Sequence, residues 1–228
     1  MKKNMMLALS TILLLVSALY AFNVQANSLT KKESVNSEAM HKEKRILEGE
    51  TIVIDAGHGG KDVGATGQTG IHEKDITLQT ALHIKRELIE KTGANVVLTR
   101  DKDEFLTLPE RVELADNHAA DLFVSIHFDA FTSNDIAGIT TYYNKSEDKQ
   151  VAKMIHEQLF KQKIDTKDRG VAQGDYHVLR ENSSPSLLLE LGYLSNPEDE
   201  QRIQTQAFQD KAATAVTAGI IVFFNKQK

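Results

Sequence analysis

The chain has 228 residues, 41% of them apolar and 26% charged, with no cysteine and no tryptophan, which leaves room for one ordinary domain with a real core. Its 27 Lys and Arg stand against 32 Asp and Glu, a negative balance that argues against nucleic acid as a partner. Without cysteine there is no disulfide framework, no thiol nucleophile and no thiolate zinc site, so any metal must sit on histidine and carboxylate.

Taken in chain order, Lys2 and Lys3 precede a mostly apolar run from Met5 to Phe22, and Val24 and Ala26 follow at the spacing of a small-residue cleavage site. Residues 1–26 are therefore expected to be a secretory signal. An uncleaved membrane anchor is the alternative, weakened by Ser10, Thr11 and Ser17. Either way the remainder is exported, extracellular or in the wall or periplasmic space, and touches membrane only through this segment. Residues 27–49 mix both signs of charge with little apolar repetition and read as a polar linker. Residues 50–228 form the folded domain.

Thr51 to Asp55 (T-I-V-I-D) is a β-branched run ending in G-H-G-G, the pattern of a strand buried on both faces that presents its loop. Lys74 to Glu90 has broadly helical apolar spacing and stops before Gly93. Asn95 to Thr99 is the next strand, Pro109 starts a helix through Ala115, and Asp121 to His127 (D-L-F-V-S-I-H) is a third buried strand. Gly138 to Tyr143 follows as strand, Asp148 to Phe160 as amphipathic helix, Ser186 to Leu191 (S-L-L-L-E-L) as another interior strand, and Ala207 to Phe224 as the final helix. Strands alternating with helices predict an α/β domain, a mostly parallel sheet with helices on both faces. Ligands collect beyond the carboxyl ends of such strands, which singles out His58, His127 and Glu190.

Hydrolytic zinc sites use three protein ligands and leave one position open. His58, Glu73 and His127 would make that set, with one Zn2+ per chain. The glycines around His58 allow close approach, and Glu73 opens the helix behind the loop. Spacings of this length exclude a single-helix motif, so the fold must assemble the site. Glu190 is a carboxylate in an otherwise apolar strand, where an ionised group needs a partner. A metal and its water would supply one, and the apolar surroundings would raise its pKa toward a value useful for proton transfer, which makes it the candidate general base. A buried ion pair of Glu190 with Arg100 or Arg180 stays open, as does His72 in place of Glu73. His177 is expected to touch substrate rather than metal. His83 and His156 are expected on helices among solvated neighbours, and His118 at a helix end.

In order, I-D-A-G-H-G-G-K-D-V-G-A from Ile54, G-x-x-E-K-D at Gly70 to Asp75, L-T-R at Leu98 to Arg100, L-x-x-R at Leu108 to Arg111, S-I-H-F-D-A at Ser125 to Ala130, R-G-V at Arg169 to Val171 and L-L-E-L-G-Y-L-S-N at Leu188 to Asn196 resemble the zinc-dependent N-acetylmuramoyl-L-alanine amidases of the type 3 family. The resemblance spans about Thr51 to Phe224. It implies a six-stranded sheet, peptidoglycan as the substrate, and hydrolysis of the amide joining the lactyl group of N-acetylmuramic acid to L-alanine of the stem peptide. By position it assigns His58, Glu73 and His127 to zinc and Glu190 to catalysis, the four residues already singled out. The competing expectations are a zinc peptidase acting within the stem peptide, a glycosidase using Glu73 and Glu190 as paired carboxylates, and a non-catalytic wall-binding module.

Overall fold

The computed structural model describes Gln25 and residues 46–227. The expected signal, Gln25 apart, and most of the expected linker lie outside the described residues. The chain divides into two units, residues 1–44 and 45–228. Gln25, a helical residue, is all that is described of the first.

In the second unit, Leu47 is fully buried and its amide bonds to the Thr92 carbonyl. Packed chain thus begins a few residues before the expected boundary at 50. Six strands follow, β1 (Thr51–Ala56), β2 (Asn95–Leu98), β3 (Leu122–Asp129), β4 (Ile139–Tyr143), β5 (Asp168–Gln173) and β6 (Ser186–Tyr193). They form one sheet in the order β2-β1-β3-β6-β4-β5. The first four in that order are mutually parallel. β4 lies antiparallel to β6 and parallel to β5, so the β4–β5 pair runs against the rest.

Six helices flank the sheet: α1 (Glu73–Thr92), α2 (Leu108–Asn117), α3 (Lys149–Lys161), α4 (His177–Arg180), α5 (Pro197–Ile203) and α6 (Gln206–Asn225). Strand side chains alternate between the two faces. One face offers Ile52, Ile54, Val124, Ile126, Leu187 and Leu189, which join the main core with α1, α3 and α6. By length and composition α6 is apolar enough to cross a membrane, but its Phe208, Ala212, Val216 and Ile220 are spent in that core. The opposite face has a smaller cluster, in which Val53, Phe123 and Leu188 meet Val112 and Ala115 of α2 and Val178 and Leu179 of α4.

α2 starts where Pro109 placed it. The Thr107 hydroxyl accepts from the Glu110 amide while the Glu110 carboxylate takes the Thr107 amide, a reciprocal cap that satisfies two otherwise orphaned donors. Two short helices cannot cover a six-stranded sheet. Asp55, His127 and Glu190 fall on this same face, by alternation from Val53, Phe123 and Leu188.

Candidate metal centre and active site

The loop after β1 carries the first candidate ligand, His58. Gly57 extends the strand by donating its amide to the Ile126 carbonyl at 3.1 Å. A Cβ on Gly57 would lie 2.4 Å from the His127 ring, so only glycine lets that imidazole occupy its place. The chain then turns at His58, whose φ is 60°. A left-handed backbone at a non-glycine residue costs of order 1 kcal/mol. Arg111 holds it there: its guanidinium donates to the carbonyls of His58 (2.8 Å), Ala56 (2.8 Å) and Leu106 (3.2 Å) and to the Asp55 carboxylate (2.6 Å). Arg100, fully buried, donates to the carbonyls of Ala56 and Gly57 from the other side.

Glu73, the first residue of α1, is buried, and its carboxylate is fixed by the amides of Ala65 (2.9 Å) and Phe128 (3.0 Å). Its two oxygens face His58 Nε2 at 3.0 Å and His127 Nδ1 at 2.9 Å. The ligand atoms of His58, Glu73 and His127 all lie within 4.8 Å of one another. Burial would raise the Glu73 pKa, but the hydrogen bonds from His127 and His58 outweigh it and hold the carboxyl well below the usual range.

The donor set fits a metal on its own chemistry. His58 Nδ1 faces Asp62 Oδ2 at 2.9 Å. A proton on Nδ1 satisfies that contact and leaves the Nε2 lone pair aimed at a Glu73 oxygen, so two acceptors confront one another unless a cation lies between them. Without metal a proton can take that place: burial would lower the His58 pKa, yet its hydrogen bonds to Glu73 and Asp62 raise it. Zinc ligands at about 2.0–2.2 Å in a tetrahedral site would lie about 3.3 Å apart; the two His–Glu contacts here are 3.0 and 2.9 Å, and all three ligand atoms lie within 4.8 Å of one another. Asp62 and the two backbone amides are the outer partners that fix ligand orientation in such sites.

Glu190 is the register partner of His127 on the adjacent strand, so the two side chains share a face. It is 7% exposed, and its Oε2 is buried without a hydrogen-bond partner. Burial first, then the charges of Glu73 and Asp129, push its pKa well above the ordinary carboxylate value. Neither arginine that might have neutralised it does so. Arg100 serves backbone carbonyls and Thr77, and Arg180 pairs with Asp175 and Glu181 at the surface. A recess of ≈ 300 Å³ opens beside His58 and His127, lined by Phe105, Leu108, Tyr176, His177 and Val178 among others.

The structure thus brings His58, Glu73 and His127 within 4.8 Å of one another and sets Glu190 beside His127 on the adjacent strand. His72 stands apart as the residue capping α1, its Nδ1 3.2 Å from the Thr66 hydroxyl. His177 lines the recess from α4. His156 departs from expectation: it is 5% exposed, with Nδ1 2.9 Å from the Thr141 hydroxyl and Nε2 2.9 Å from Asp168. It pins α3 to β4 and β5 instead of facing solvent. Asp62, Asp55 and Arg111 were not given roles from sequence. The signal for Asp62 was its place four residues after His58 within G-H-G-G-K-D. Arg111 carried the L-x-x-R motif.

Residues 52–222 match the family model described as N-acetylmuramoyl-L-alanine amidase. Among relatives, the uncharacterized protein YqiI of Bacillus subtilis is 41% identical over 184 residues, 79% of this chain and 87% of that protein. The probable cell wall amidase LytH of Staphylococcus epidermidis is 39% identical over 181 residues, 78% of this chain but only 60% of LytH. The catalytic domain of CwlV, an N-acetylmuramoyl-L-alanine amidase from Bacillus (Paenibacillus) polymyxa var. colistinus, superposes with a TM-score of 0.75 at 39% identity, covering 77% of this chain and 98% of that one.

Proposed function

Because the chain belongs to the N-acetylmuramoyl-L-alanine amidase family, we propose that it hydrolyses the peptidoglycan amide between the lactyl group of N-acetylmuramic acid and L-alanine, with one zinc held by His58, Glu73 and His127 and with Glu190 moving the proton. Residues 1–26 act as its export signal and the polar segment after them as a lead-in, which would deliver the domain to where its substrate is.

Zinc, when bound, supplies Lewis acidity that polarises the scissile carbonyl and makes water a competent nucleophile near neutral pH. Glu73 contributes one negative charge to the site, and the amides of Ala65 and Phe128 hold its oxygens toward the two imidazoles. Asp62 keeps the proton of His58 on Nδ1 and so keeps Nε2 free to ligate. Glu190 takes a proton from the attacking water as the new C–O bond forms. It then returns that proton to the amide nitrogen as the C–N bond breaks, so alanine departs as an amine and not as an amide anion.

The observation that carries this assignment is Glu190 itself, a buried carboxyl with an unpartnered oxygen beside His127. Such a group is costly to keep. A cation bound among the three ligands would lower its pKa and so favour the ionised carboxylate, the form that can accept a proton. In Glu190→Gln the carboxamide keeps the shape and loses the base. We expect zinc to stay near one per chain while kcat falls by about 10²- to 10⁴-fold. Near-normal turnover by the zinc-loaded variant rejects the role. Mass spectrometry of digested peptidoglycan tests the bond: stem peptides with a free L-alanine amine, together with free lactyl carboxylates on the glycan, support the amidase, and new termini inside the stem would instead mark a zinc peptidase.

A further inference from the structure

Because β4 and β5 run against the other four strands, their first residues lie along the edge where β1 and β3 end. Thr140 of β4 pairs with Glu190. On its other side Ile139 pairs with Asp168 but Thr141 pairs with Val171, so two residues of β5, Arg169 and Gly170, share the place opposite Thr140. Bulges of this kind re-aim a side chain, often next to an active site. Here the re-aimed side chain is Arg169, two strand spacings from Glu190, or about 10 Å.

Arg169 does not extend away from the sheet edge. Its stem passes over Gly138, where an added Cβ would fall 2.8 Å from Cγ and 2.9 Å from Cδ. Its guanidinium lies 5.3 Å from the centre of the Tyr193 ring on β6. It is exposed, and among the described residues no carboxylate comes within ion-pair distance of it. The neighbouring acid, Asp168, is engaged by His156. Lys167 lines the same shallow depression with Thr140, Tyr142 and Ala172. A cation thus lies over Tyr193, three residues beyond Glu190 on β6, and forms no ion pair among the described residues; Asp129, the acid that bonds Tyr193, is not in ion-pair contact with it.

On the other side of His127 the recess also has Asp55, Asp62 and Arg111 in its lining, but Asp55 pairs with Arg111 and Asp62 faces His58; the rest of its wall includes Phe105, Leu108 and Val178, so the unpaired positive charge lies on the Arg169 side of the metal centre. The two halves of the substrate differ in the same sense. The carboxyl of the lactyl group is consumed in the scissile amide, which leaves the sugar side neutral, whereas the peptide side carries free carboxylates. We propose that Arg169 binds a carboxylate of the peptide half, so that the stem peptide runs over β4 and β5 while the lactyl-sugar half lies toward the apolar recess. This inference rests on the amidase reading above. It makes Arg169 a specificity-determining residue.

The test uses N-acetylmuramoyl tripeptides beginning with L-alanine, with the carboxylates of the second and third residues converted to carboxamides one at a time. For the native protein, we expect amidation of one of them to lower kcat/KM about tenfold, the scale of one charge-assisted hydrogen bond. Arg169→Gln should treat that pair alike, and Arg169→Lys should keep the preference. Discrimination that survives in Arg169→Gln, or its absence in the native protein, overturns the proposal. Calorimetric binding of the same pair to Glu190→Gln, with and without Arg169→Gln, reads the anchor without any cleavage: a free-acid preference that depends on Arg169 supports it, and equal affinities overturn it. Failure to cut the lactyl amide in the native protein would instead reject the amidase reading.

Discussion

Replacing Arg111 by methionine removes a side chain that is 3% exposed and pairs with an Asp55 carboxylate that is 1% exposed. The length and apolar stem are retained, so the perturbation is chiefly the loss of charge and donors. Breaking one side of a buried ion pair costs about 3–5 kcal/mol, because the remaining charge stays buried and uncompensated. At roughly 2–4 °C per kcal/mol for a domain of this size, the midpoint should fall by about 6 to 20 °C. Urea unfolding at pH 7 measures the free energy directly. Asp55 retains hydrogen bonds from the Ser125 and Thr99 hydroxyls, so Asp55→Asn combined with Arg111→Met should cost at least 1 kcal/mol less than the two single changes added together.

The pair also has a pH signature. Burial would raise the Asp55 pKa, but Arg111 and the Ser125 hydroxyl outweigh it and hold the carboxyl below its ordinary value. Its contribution is therefore fully present above the unfolded pKa of about 3.9 and is lost as pH falls through the folded value. In Arg111→Met that acid limb should shift upward. Because Arg111 also holds the His58 carbonyl, zinc affinity should fall with stability, by about 10- to 100-fold as for other outer partners. An Arg111→Met protein within 1 kcal/mol of native, with additive behaviour in the double variant, would refute the reasoning.

Three further outcomes follow from named contacts. Gly57→Ala should fold, since the clash falls on the His127 ring, but displacing that ligand should weaken zinc binding at least tenfold, as read by competition with a chromogenic chelator. Asp62→Ala should lower zinc affinity about 10- to 100-fold with little change in secondary structure, because its carboxylate partners His58 Nδ1 at the loop; unchanged affinity would remove Asp62 from the site. His156→Phe leaves the buried Thr141 hydroxyl without its 2.9 Å partner and should cost about 1–3 kcal/mol, with zinc content and turnover of the folded enzyme intact.

The interior strands and long helices were legible because burial writes directly into composition. T-I-V-I-D, D-L-F-V-S-I-H and S-L-L-L-E-L have no solvent face to accommodate. β5 was not legible as a strand. D-R-G-V-A-Q is an edge segment with exposed Asp168, Arg169 and Gln173, and it carries neither an apolar run nor an alternation. Nor does pattern alone reveal that β4 and β5 run backwards, since direction is set by how the chain returns to the sheet. Within the site, Glu190 stood out because a carboxylate among leucines demands a partner, and His58 because it interrupts glycines. Arg100 and Arg111 did not, for a cation that spends its donors on loop carbonyls looks in sequence like any surface charge. His156 was misjudged for the same reason: its polar neighbours, Thr141 and Asp168, come from other elements.

The position of β6 has a consequence for the order of assembly. It lies between β3 and β4, yet it is the last strand to be made. A nascent chain can pair β1 with β2 and β3 and can bring His58, Glu73 and His127 into register before residue 186 exists. The centre of the sheet, and with it Glu190, closes only when a late segment inserts between earlier ones, a non-local step of the kind that slows folding. A chain ended before β6 would retain His58, Glu73 and His127 and lack Glu190, so on the proposed mechanism the proton-transfer group is made only in the last fifth of the polypeptide, after the three proposed metal ligands.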